Sequence, residues 1–158
     1  MRNIESYCHF CRLSWHCSCV NVLAVVGVDA ELGTLLARDV DQRENRIVSQ
    51  WGEISADEQH ELRERVDEIF RPLGYETSLV AIRRANSIAL YFICMTLAAL
   101  MSLRDQWRTG QLRDIVQSLF TFLAGTTVSV KKLTWPLTDY DTCLQVFSSV
   151  KGKPWIYS

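Results

Sequence analysis

Ala85-Asn86-Ser87-Ile88-Ala89-Leu90-Tyr91-Phe92-Ile93-Cys94-Met95-Thr96-Leu97-Ala98-Ala99-Leu100-Met101-Ser102-Leu103 is a run of 19 residues without a charge, bounded by Arg84 and Arg104. A membrane-spanning helix needs ~20 such residues, so the reading of this run decides between a globular domain and a small single-span membrane protein. Its character changes halfway. Ile88 to Cys94 has the aromatic and β-branched content of a buried strand. Leu97, Leu100 and Met101 return at helical spacing, and Asn86, Ser87, Thr96 and Ser102 interrupt the run with polar groups. Strand followed by helix is the preferred parse, and a span near residues 85–103 is the alternative.

Upstream, Thr77 to Ile82 is a second short apolar run, separated from the first by Arg83, Arg84, Ala85 and Asn86, the pattern of a β-hairpin with a polar tip. Downstream, one helix is expected over about Leu97 to Arg108, punctuated by Thr109-Gly110, and a second from Gln111 to Ala124, where Leu112, Ile115, Val116, Leu119 and Leu123 share a face and Gly125 ends it. Thr127 to Val130 alternates as a strand, continuing towards Leu133 and stopped by Trp135-Pro136. Thr138 and Asp139 can open a last helix with Tyr140, Cys143, Leu144 and Phe147 on one stripe. Ser55-Ala56-Asp57-Glu58 reads as a capping box, starting a helix to about Arg71 with Leu62, Val66, Ile69 and Phe70 on its apolar side.

These elements imply an α+β fold, a two-layer sandwich with helices on one face of a small antiparallel sheet. If Val20 to Val28 is a first strand, the order becomes βαββαβ, a ferredoxin-like plait. The expected division is a leader over 1–54, an α/β domain over 55–150 and a tail over 151–158. Residues 29–54 suggest one or two short helices around Leu32, Leu35, Leu36, Ile47, Val48 and Trp51.

With 158 residues, 48% of them hydrophobic and 22% charged, the chain can build its core without disulfides or metals. The net charge of −1 conceals a segregation: residues 1–79 hold eight Arg against fourteen acids, residues 80–158 nine Lys and Arg against four aspartates. The positive charges form no dense run and are not interleaved with aromatics, which disfavours nucleic acid and leaves a polar surface that steers an acidic protein partner or faces the chain's own acidic half. Cys94 and Cys143 stand alone in apolar patterns and read as small buried hydrophobes. Cys8, Cys11, Cys17 and Cys19, with His9 and His16 between them, have the side chains of a zinc site, but only five residues part the two cysteine pairs. Zinc modules use a longer excursion to fold back over the metal, so no metal and no cofactor is expected.

Catalysis has little support. There is no Gly-rich phosphate loop and no nucleophile elbow, and His60-Glu61-Leu62-Arg63-Glu64 has Glu where a zinc-protease helix needs its second His. The carboxylates of residues 53–68 alternate with Arg63 and Arg65, as on a solvated helix face.

One pattern points further: the hairpin, then Leu100-x-x-Leu103-x-x-x-Trp107-x-x-Gly110-x-Leu112 leading to Phe120, then Val128-x-Val130, then Asp139-Tyr140-x-x-Cys143-Leu144. Over Thr77 to Val150 it resembles the amino-terminal domain of the tumour-necrosis-factor-receptor-associated death-domain adaptor (TRADD-like N-terminal domain), found also in death-effector-domain-containing proteins. The resemblance implies a non-catalytic, cytoplasmic interaction module of death-receptor and innate-immune signalling, with TRAF-type or death-fold adaptors as partners. It places the contact surface at the hairpin tip, around Arg83 and Arg84.

Overall fold

The computed structural model describes residues 24–33, 36–56, 60–85 and 87–151. The elements are β1 (Ala24–Leu32), α1 (Ala37–Ala56), α2 (His60–Phe70), β2 (Thr77–Arg84), β3 (Ile88–Cys94), α3 (Leu97–Thr109), α4 (Gln111–Ala124), β4 (Val130–Thr134) and α5 (Leu137–Lys151). A 3-10 turn over Arg71–Leu73, with Pro72 inside it, closes α2.

The uncharged run is split as its composition predicts. β3 pairs antiparallel with β2 in a hairpin, and after Met95 the chain enters α3, whose first free amides are met by the Thr96 hydroxyl accepting from Ala99 N–H at 3.1 Å. Gly110, at φ +88°, is left-handed and joins α3 to α4 without a spacer; an L side chain there would be strained. On α4 the buried residues Leu112, Ile115, Val116, Leu119, Phe120 and Leu123 follow the i, i+3, i+4, i+7 rhythm of a core-facing helix.

The sheet order is β2-β3-β1-β4 with every neighbouring pair antiparallel. This is the strand order of the ferredoxin-like plait, with two helices in each crossover and α5 added at the end. The first strand is Ala24–Leu32, so the folded unit reaches back through residues 24–54, ahead of the Ser55 boundary drawn from the capping box. β1 alternates strictly, with Ala24, Val26, Val28, Ala30 and Leu32 buried and Asp29 and Glu31 exposed. It lies between β3 and β4, where such alternation buries one face on the helices.

Ser55 is in the last turn of α1, its hydroxyl donating to the Gly52 carbonyl at 3.3 Å, instead of starting a helix; residues 57–59 lie outside the described set. Residues 37–56 form one long helix because Val40, Ile47, Val48, Trp51 and Ile54 keep a single stripe against the core despite the charges between them.

The core lies between the sheet and the helices, with Phe92, Phe120, Ile47, Leu90, Leu100, Leu112 and Leu119 fully buried, each contributing about 1.5–3 kcal/mol. On the opposite face Gly27 sits across from Tyr91; a Cβ at Gly27 would come within 3.3 Å of the Tyr91 ring, so the glycine gives that ring its place on the sheet. β4 stops at Thr134 opposite Asp29, leaving the start of β1 without a strand on that side. α5 lies along it, and the Cys143 thiol donates to the Val25 carbonyl at 3.4 Å, which covers an otherwise open sheet edge.

Candidate interaction surfaces at the hairpin tip

Side chains alternate across a strand, and β2 runs to Arg84, so Arg83 and Arg84 leave the hairpin on opposite sides. Arg83, opposite Ala89, is on the same face as Tyr91 and is exposed. Arg84, opposite Ile88, turns to α1, where Nη2 meets Asp41 Oδ1 at 2.9 Å and Glu44 Oε1 at 3.3 Å. Its Nη1 donates to Asn45 Oδ1 at 2.7 Å and to the Asp41 carbonyl at 3.2 Å. The two arginines that are adjacent in sequence therefore do different things: Arg84 clamps the hairpin to α1, and Arg83 is presented to solvent on the clamped tip.

Glu44 is almost fully buried. Burial pushes its carboxyl above the usual value; the Arg84 guanidinium pulls it back and the neighbouring Asp41 charge pushes the same way as burial. Asp41, Glu44 and Asn45 have the i, i+3, i+4 spacing of one helix face, a signal available in the sequence once residues 37–56 are read as a single helix.

The two described cysteines are packed as their apolar patterns predict. Burial pushes the Cys94 thiol up to about 12, with Thr77 Oγ1 at 4.0 Å, and raises Cys143 for the same reason, with the Asp139 charge second. Neither is a thiolate at neutral pH. Arg104 is the hub of a second cluster: its guanidinium stands 4.3 Å from the Trp107 ring centroid, 4.8 Å from Tyr140 and 5.0 Å from Trp135, and Nη1 donates to the Trp135 carbonyl at 3.1 Å. These contacts join α3 to α5 and hold the end of β4.

A groove of about 840 Å³ runs between α2 and β2, bordered by Trp51, Phe70 and Leu79 and by charges of both signs, Arg63 and Arg71 against Glu64, Asp67 and Glu68. Among the described residues no three His, Cys, Asp or Glu side chains are grouped to hold a metal, and no helix is long and apolar enough to cross a membrane. Cys8, Cys11, Cys17 and Cys19 lie outside the described residues. No family model, no curated protein and no solved structure matches this chain.

Proposed function

We propose that the chain is a non-catalytic interaction module of the TRADD-like type, acting in the cytoplasm as an adaptor between signalling proteins. The observation that carries this reading is the division of labour at the hairpin tip. Four polar contacts from Arg84 fix the tip to α1, and Arg83 stands exposed on that fixed platform, so a partner meets a cation whose backbone is already ordered. Pre-organisation of this kind reduces the entropy lost on binding. TRAF-type and death-fold adaptors are the partners to which the resemblance over Thr77 to Val150 points, with Arg83 as the contact and Arg84 as the residue that positions it.

The test is binding of the purified chain to immobilised TRAF-type and death-fold domains by biolayer interferometry. Arg83→Glu is expected to weaken binding about tenfold, the size of a charge reversal at an interface, with an unchanged circular dichroism spectrum. Absence of binding to every such domain overturns the adaptor reading; binding that Arg83→Glu leaves untouched removes the hairpin tip from it.

A further inference from the structure

The basic residues of the second half, scattered in sequence, are partly reunited by the fold. At the corner between α3 and α4, where Gly110 turns the chain, a groove of about 550 Å³ is lined by Arg108, Arg113, Lys131 and Lys132 together with Trp107 and Leu133. Among the described residues no carboxylate lines it. All four cations are exposed, and among the described residues the one ion pair that any of them makes is the long Lys131 to Glu31 contact at 3.8 Å, between side chains more than half exposed and therefore weak. The start of α4 at the same corner is capped by no side chain and carries Asp114 in its first turn, so the cations rather than the helix end set the sign of the groove.

We propose that this groove docks an acidic peptide segment of a partner protein, a stretch of several Asp and Glu side chains in extended conformation. Four exposed positive charges around one concavity, with Glu31 beside the two lysines as their weak counter-charge, make a net positive field that selects a compact group of negative charges. Strand addition is not the mode, because β4 already has Val130 N–H donating to Gln117 Oε1 at 2.9 Å and the Leu133 carbonyl accepting from Trp107 Nε1 at 2.8 Å. Base stacking is not the mode either: Trp107, the aromatic ring in the groove, carries the Arg104 guanidinium on its face at 4.3 Å. What the groove offers is charge at fixed positions, supplied by one helix corner and one strand. It deepens the interaction-module reading by adding a second surface, separate from Arg83, that recognises acidity.

The experiment is fluorescence polarisation with a labelled decapeptide of alternating Asp and Glu, using the full chain at 50 mM NaCl. Saturable binding is expected. It should weaken about tenfold in Lys131→Glu/Lys132→Glu, and likewise between 50 and 300 mM salt as the screening length shortens. The neutralising pair Arg108→Gln/Arg113→Gln is expected to weaken it about fivefold, and reports on the groove should the charge-reversed strand fail to fold. Arg83→Glu should leave peptide binding unchanged, which separates the groove from the hairpin tip: loss of adaptor binding with retained peptide binding sinks only the earlier reading. No binding at millimolar peptide overturns the proposal. So does binding that ignores both paired variants, or displacement of the peptide by a ten-nucleotide oligothymidylate or by anionic lipid vesicles at lower concentration than by unlabelled peptide.

Discussion

Replacing Arg84 with Ala should destabilise the protein far more than replacing Arg83 with Ala, although the two are neighbours on the same strand. Removing one partner of a fully buried ion pair costs about 3–5 kcal/mol, because the other charge is left without compensation. Arg84 is not fully buried: 32% of its side chain is exposed and Asp41 is 62% exposed, so only the contact to Glu44, 5% exposed, deserves most of that figure. Discounting for solvent and adding the short hydrogen bond to Asn45 gives a loss of about 2–3 kcal/mol, or roughly 4–12 °C in melting temperature for a chain of this size. Arg83→Ala removes an exposed side chain with no ion pair on α1 and should stay within about 0.5 kcal/mol of the parent. Urea titration followed by far-ultraviolet circular dichroism measures both. Adding Glu44→Gln to Arg84→Ala should recover about 1 kcal/mol, the share due to the stranded buried carboxylate. Equal midpoints for the two alanine variants, or no recovery in the double variant, would refute the clamp.

Two further outcomes follow from the buried titratable groups. The folded pKa of Glu44 lies above its unfolded value, so its contribution to stability is fully present below about pH 4.5 and is lost as pH rises through the folded pKa. Urea midpoints at pH 4 and pH 7.5 should thus move in favour of Glu44→Gln relative to the parent at the higher pH, and a shift in the other direction means that Arg84 outweighs desolvation. Cys94, with its thiol pushed up to about 12 and no exposed surface, should resist iodoacetamide at pH 8 in the native protein and react once urea unfolds it. Peptide mass mapping reads this residue separately from the other five cysteines; rapid native labelling of Cys94 would show that the β3 end of the core opens readily.

Much of the second half was legible locally. The hairpin, the pair of helices split at Gly110 and the final helix lie where periodicity and turn residues put them, because each signal is contained in a few consecutive residues; the strand expected from Thr127 starts only at Val130 and runs to Thr134, since Val128 N–H donates to the Thr121 hydroxyl of α4 instead of to a neighbouring strand. The first half was less so. Residues 37–56 hide a continuous helix because charges outnumber the stripe of Val40, Ile47, Val48, Trp51 and Ile54, and the Ser55 to Glu58 spacing imitates a helix start where the structure has a helix end. The candidate site was half visible: Arg83 and Arg84 stood out as a pair, but ending the strand at Ile82 hid the alternation that sends them to opposite faces.

What consecutive residues determine here is which segments are strand and which are helix, since backbone preference and the rhythm of apolar side chains act over one or two turns. Whether a given charge is clamp or contact was settled only by packing. Glu44 became a buried partner when α1 lay against the hairpin, and Arg108, Arg113, Lys131 and Lys132 became one groove when β4 took the edge of the sheet beside the α3–α4 corner. Electrostatic roles depend on distance through space and on exclusion of water, and neither exists until elements far apart in the chain are brought together.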